Sequence, residues 1–172
     1  MVETRETVLI TGVTGYIGSH LGLQMLQGYA DRFRVRASVR SLANKAKLDP
    51  LLKAYGESLF NQIEFVEADL LYRAKLRKAV QGVQYVIHLA NPLPGTAKQQ
   101  EDETVRPAVE GMETILQAAV DYKVKKVIVT SSLINMMGNV WKRASGDHHY
   151  TESDFAPYES SDPYAKSKLA QE

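Results

Sequence analysis

The stretch VLITGVTGYIG, residues 8–18, constrains the fold more than any other part of the chain. Val8, Leu9 and Ile10 read as a short buried strand. Gly12, Gly15 and Gly18 follow, three residues apart. Ile17, Leu21 and Met25 then recur every four residues, the spacing of one helix face. Strand, glycine turn and helix together make the entry of a dinucleotide-binding unit. The first glycine permits the tight turn, the second lets backbone approach a pyrophosphate, and the third lets the helix pack closely on the strand. Free N–H groups and the dipole at the helix N-terminus favour negative charge there. The candidate cofactor contacts in this stretch are therefore Gly12, Thr14, Gly15, Tyr16, Ile17 and Gly18. A plain glycine-rich turn is the competing reading, and the strand–turn–helix setting speaks against it.

The rest of the chain alternates strands and helices. Strands are expected over residues 33–39, 63–68, 85–90 and 126–130. Helices are expected over residues 44–55, around Leu76 and Val80, and from Glu103 to Tyr122. The first of these carries Leu48, Leu51, Leu52 and Tyr55 on one side; the last carries a stripe of Val105, Val109, Met112, Leu116 and Ala119. Pro107 should fall in the first turn of the long helix or kink it. Such alternation implies a parallel, doubly wound α/β sheet of Rossmann type with strand order 3-2-1-4-5. A chain of 172 residues is about one domain, so residues 1–172 are read as a single NAD(P)-binding domain. Sheets of this kind bind ligands outside the carboxyl ends of their strands.

Composition narrows the function classes. A net charge of +1 offers no bulk attraction to nucleic acid or to an anionic membrane. Cysteine is absent, which removes disulfide frameworks and thiolate metal sites, and no metal site is expected. The first residues are polar, and no apolar run approaches the ~20 residues of a membrane span. A cytoplasmic location is the expectation.

The strand ends supply further cofactor candidates. An acidic residue after the second strand would bind the ribose hydroxyls of NAD. Arg40 stands there instead, followed by Ser41, Lys45 and Lys47. Guanidinium pairs with phosphate in a bidentate manner, so NADP(H) is favoured over NAD(H). Asp69 and Leu70 follow the third strand, where Asp also serves well as a helix cap or turn residue. Leu89, Ala90 and Asn91 close the fourth strand, a small Ala there letting backbone approach a cofactor. His88 reads as a packing residue, and the adjacent His148 and His149 receive no role.

The catalytic candidates are Ser131, Ser132, Tyr164 and Lys168. Tyr164 and Lys168 are spaced one helical turn apart on one face. A neighbouring ammonium favours phenolate, which suits a tyrosine to exchanging a carbonyl proton. Tyr122 and Lys126 share the spacing but fall where a helix enters the fifth strand, at the amino edge of the sheet. The serines stand at the carboxyl end of that strand.

These motifs occur together in one order: TGVTGYIG at 11–18, ADL at 68–70, VIHLA at 86–90, PAVEG at 107–111, VTSS at 129–132 and YAKSK at 164–168. The set resembles the extended short-chain dehydrogenase/reductase family, also described as NAD-dependent epimerase/dehydratase-like. PAVEG and the run YTESD at 150–154 are most similar to its dihydroflavonol reductase and cinnamoyl-CoA reductase branch, whereas YAKSKL is equally similar to nucleotide-sugar epimerases. The resemblance implies an NADP-dependent oxidoreductase that reduces the carbonyl of a small organic substrate. It implies Ser132 as the substrate-orienting serine, Tyr164 as the acid/base, and Lys168 as its activator and a ribose ligand. Arg40 and Lys47 match the contacts to the 2′-phosphate, and Asp69 with Leu70 matches the pair that flanks the adenine. Family members run to about twice this length. The chain therefore looks like the cofactor-binding half, without the substrate lobe and stopping inside an unfinished helix. A non-catalytic dinucleotide-binding module is the alternative.

Overall fold

The computed structural model describes residues 5–93, 101–137, 149–160 and 162–172. These fall into two compact units, Met1–Ala90 with Glu113–Val129, and Asn91–Met112 with Thr130–Glu172.

The first unit holds a sheet of five parallel strands in the order β3-β2-β1-β4-β5. The strands are β1 (Glu6–Thr11), β2 (Phe33–Val39), β3 (Glu64–Glu67), β4 (Tyr85–His88) and β5 (Lys126–Val129). Val8 pairs with Val35 on one side of β1, and Ile10 with Ile87 on the other. Both faces of the sheet are covered, which is why the strands are apolar at successive positions. Val8, Ile10, Val35 and Ala37 pack with Leu26 of α1 (Tyr16–Gly28) and with Leu48, Leu51 and Tyr55 of α2 (Lys45–Phe60). Leu9 and Val86 face the other way, onto Leu76 and Val80 of α3 (Arg73–Val80) and Ile115 and Ala118 of α4 (Glu101–Asp121). Burying side chains of this size contributes about 1.5–3 kcal/mol each. The doubly wound order read from the sequence is thus the order observed.

Several local expectations are corrected. α1 buries Gly18, Gly22 and Leu26, whereas Ile17 is 56% exposed. Glycines form its inner face because the helix lies close against its surroundings: a Cβ on Gly22 would meet the Tyr55 hydroxyl at 2.7 Å. α2 extends to Phe60, with a break at Gly56, where φ is +73°. α4 buries Thr104, Ala108, Met112, Ile115, Ala118 and Ala119. Of the expected stripe, Met112 and Ala119 are buried, Val105 and Val109 half-buried and Leu116 exposed, so the inner face is only partly that stripe and is completed by smaller side chains. Pro107 sits inside α4 beyond its first turn. β3, β4 and β5 are each shorter than expected.

The second unit contains the N-terminal part of α4, the short helix α5 (Ile134–Met137), a 3-10 turn at Tyr158–Ser160 and α6 (Pro163–Leu169). α6 packs on α5 and on the 3-10 turn. α6 runs to Leu169, and the Ala170 N–H donates to the Lys166 carbonyl. The Gln171 side-chain amide donates to the Ala108 carbonyl of α4 at 3.3 Å. Among the described residues no helix is long and apolar enough to cross a membrane.

Candidate functional site

In the first unit, the glycine turn is built as the spacing requires. Gly12 has φ +72°, a conformation that disfavours a side chain. An added Cβ at Gly12 would meet the Ala90 nitrogen at 2.9 Å, and one at Gly18 would meet the Gly12 carbonyl oxygen at 2.2 Å. Gly15 is the N-cap of α1 and donates to the Gly12 carbonyl at 3.0 Å. It has no side chain to cap the helix, so the first-turn N–H groups lack an intrahelical acceptor. Thr14, Gly15, Tyr16 and Ile17 are exposed around that opening. The donor set and the tight backbone cradle fit a pyrophosphate at this helix end.

Thr11 braces the turn. Its buried Oγ1 accepts from the Leu89 and Ala90 N–H groups, each at 3.1 Å, and lies 2.8 Å from His88 Nδ1. A hydroxyl has one proton and two lone pairs. With both lone pairs taken, the proton goes to Nδ1. His88 is therefore held by a specific partner as well as packed. Leu89 and Ala90 stand as expected at the end of β4, their amides engaged by this hydroxyl.

The turn after β2 carries Arg40, Lys45 and Lys47, all exposed. A carboxylate missed in the sequence reaches it from β3. Glu67 Oε1 accepts from the Leu42 N–H at 3.0 Å, and Oε2 pairs with Lys75 at 3.2 Å. The Leu42 amide, then Lys75, hold this carboxyl below its usual range. No local spacing signals this bond, because it joins neighbouring strands. Asp69 makes a turn: its Oδ1 accepts from Leu71 N–H at 3.0 Å, and the N-cap of α3 is Tyr72. Leu70 is half-buried against the α3 side of the sheet.

In the second unit, α6 carries Tyr164 and Lys168. Asp162 caps it, accepting from Ala165 N–H at 2.8 Å, and Pro163 occupies its first position. That Asp-Pro pair is a helix-start signal carried by the sequence itself. Tyr164 is half-buried, while Lys168 is only 6% exposed. Lys168 Nζ donates to the carbonyl of Thr130, the residue following β5 in the chain, at 2.7 Å. Burial lowers its pKa, and the nearby Glu172 carboxylate works in the other direction. Ser167 is wholly buried and donates to the Tyr164 carbonyl at 2.7 Å. It also accepts from Asn91 Nδ2 at 3.2 Å. Asn91, expected among the cofactor contacts, is thereby tied to the helix that bears Tyr164.

Ser132 Oγ accepts from Ile134 N–H at 3.3 Å, which leaves its proton available to another acceptor. Ser131 Oγ donates to Glu172 and accepts from Asn135 Nδ2 at 3.2 Å. Both serines line a cavity of about 460 Å³, completed by Leu133, Asn135, Met136, Glu152, Asp154, Phe155 and Glu172. His149 is exposed, and His148 lies outside the described residues.

Comparison with known proteins identifies the family and the fold. The profile of the NAD dependent epimerase/dehydratase family matches residues 8–172. The chain is 37% identical over 130 residues to a dihydroflavonol 4-reductase of Zea mays, covering 74% of this chain and 35% of that protein. It is 34% identical over 161 residues to the dihydroflavonol 4-reductase of Arabidopsis thaliana, covering 92% of this chain and 40% of the relative. The chain thus spans well under half the length of these relatives. Among solved structures, the UDP-Glc/GlcNAc 4-epimerase of Campylobacter jejuni superposes with a TM-score of 0.73 at 19% identity, over 96% of this chain and 46% of that one. Pen from Bacillus thuringiensis superposes with a TM-score of 0.72 at 23% identity, over 99% and 44%. These two likenesses concern the fold.

Proposed function

The chain belongs to the NAD dependent epimerase/dehydratase family, and we propose that it is the cofactor-binding part of an NADP(H)-dependent reductase acting on the carbonyl of a small organic substrate. The observation that carries this reading is Lys168. A lysine buried to 6% exposure on one carbonyl hydrogen bond is poor packing material, since burial opposes its charge. Its place one turn after Tyr164, on a capped helix, gives that cost a chemical return.

In this reading Gly12, Thr14, Gly15, Tyr16, Ile17 and Gly18 hold the pyrophosphate, and Asp69 and Leu70 flank the adenine. Arg40 and Lys47 meet the 2′-phosphate, and Leu89, Ala90 and Asn91 supply backbone and amide beside the cofactor. Bound NADPH supplies a hydride. Ser132 donates its remaining hydroxyl proton to the substrate carbonyl and orients it. Tyr164 delivers a proton to the same oxygen. Lys168 favours the phenolate that remains and has two further N–H donors for a ribose. The dihydroflavonol 4-reductase relatives support a ketone-reducing chemistry. Nucleotide-sugar epimerisation uses similar residues and is the alternative within the family.

Two measurements test the reading. Calorimetric titration should show NADPH binding more tightly than NADH, and Arg40→Asp should reverse the order by removing a phosphate partner and adding a repelling charge. Equal affinities, unchanged by the substitution, would show Arg40 to be a surface residue only. In a chain of the relatives' full length, Tyr164→Phe should lower NADPH oxidation with aldehydes and ketones by roughly 10²–10⁴-fold. Full turnover in that variant removes Tyr164 from the mechanism.

A further inference from the structure

The cavity beside Ser132 has a one-sided chemistry. Its described lining includes three carboxylates, those of Glu152, Asp154 and Glu172, and neither lysine nor arginine. Glu152 and Glu172 form no ion pair among the described residues, although the Lys168 ammonium acts on Glu172 from farther off. Asn135 is 3% exposed and spends its Nδ2 on Ser131, while its Oδ1 is buried with no partner among the described residues. An amide oxygen left unsatisfied in this way is a standing cost that a ligand donor would relieve. Ser131 is turned the same way, its proton already given to Glu172. The vacancies are therefore acceptors and negative charges. Leu133, Met136 and Phe155 provide apolar surface on the same wall, with Leu133 73% and Phe155 61% exposed.

From these observations we infer that the cavity takes a cationic ligand with an apolar body: a carbonyl compound that carries a protonated amine. The ammonium meets Glu152, Glu172 and Asn135 Oδ1, and the hydrocarbon or aromatic part covers Leu133, Met136 and Phe155. Phosphorylated and carboxylate-bearing substrates are disfavoured, because like charges meet in a partly desolvated pocket. This inference rests on the reading above that Ser132 faces the substrate. It separates an amino ketone from a nucleotide sugar, whose diphosphate the same wall would repel.

The test uses three aromatic ketones of one shape on the 172-residue chain. They are 4-(aminomethyl)acetophenone, acetophenone and 4-acetylbenzoate, which are positive, neutral and negative near neutral pH. Saturation-transfer NMR at low ionic strength gives their dissociation constants. The positive ketone should bind roughly fivefold more tightly than the negative one, a ranking that added salt compresses. Glu152→Gln should weaken the positive ketone by roughly two- to threefold and leave acetophenone unchanged. Glu152→Lys should invert the ranking. Glu152 is exposed, so neither substitution threatens the fold. Equal binding of the three, preference for the negative ketone, or no binding of any overturns the inference. NADPH titration of the same sample separates the two readings. Lost charge preference with intact NADPH binding sinks only the cavity's ligand class, and charge preference without NADPH binding sinks only the reductase.

Discussion

Thr11 shows how much one hydroxyl can organise. It satisfies two backbone amides at the end of β4 and fixes the ring of His88, all from the last position of β1. Thr11→Val keeps the shape and removes the oxygen. The Leu89 and Ala90 N–H groups would then lack that acceptor, and Thr11 itself is 1% exposed. Urea unfolding should therefore show a loss of about 1–3 kcal/mol, larger than a surface substitution gives. An unchanged midpoint would mean that other acceptors replace the hydroxyl. The sequence placed Thr11 beside the glycine turn, but its bonds reach residues more than seventy positions away, so no local pattern could disclose them. Glu67 was hidden for the same reason. Tyr164 and Lys168 were legible because their relation is a helix period, whereas the Lys168 bond to Thr130 was not.

At the level of elements, strands were read well because buried strands are runs of large apolar residues. Helix faces were read less well. The inner faces of α1 and α4 include Gly18, Gly22, Ala108 and Ala118. Close approach selects small residues there, so a search for large apolar stripes finds Met112, Leu21 and Met25 but passes over the glycines and alanines and admits the exposed Leu116 and Ile17. α6 offers a sharper test. It is only seven residues long, and Asp162 supplies its side-chain N-cap. A helix this short has little intrinsic stability. Asp162→Ala should cost about 0.5–2 kcal/mol. Amide hydrogen exchange should rise across residues 163–169 more than in β1, because the loss is local. Uniform acceleration across both would instead place Asp162 in the cooperative core of the fold.

Across the whole molecule, acid sensitivity follows from exposed carboxylates that the fold has paired. The side chain of Lys125 holds Glu6 below its ordinary value of 4.5, the Leu42 amide does the same for Glu67, and Arg77 holds Asp121 below 3.8. A carboxylate whose pKa is depressed by folding stabilises the folded state above its unfolded pKa and loses that contribution as pH falls through the folded one. The melting temperature should hold steady above about pH 5 and decline below about pH 4. Glu6→Gln should make that decline shallower, and an identical profile in the variant would remove Glu6 from the account. The strand order carries one more consequence, for the chain as it is made. β1 is central, and its two neighbours in the sheet are β2 and β4. The glycine turn is synthesised before the backbone that closes over Gly12, which belongs to Leu89 and Ala90. During synthesis β2 follows β1 closely and can pair with one of its edges, but the β4 side of β1 must wait for more than seventy further residues. Until then the strand that ends in the ligand-binding turn has one open edge, the kind of edge most exposed to aggregation and to capture by chaperones.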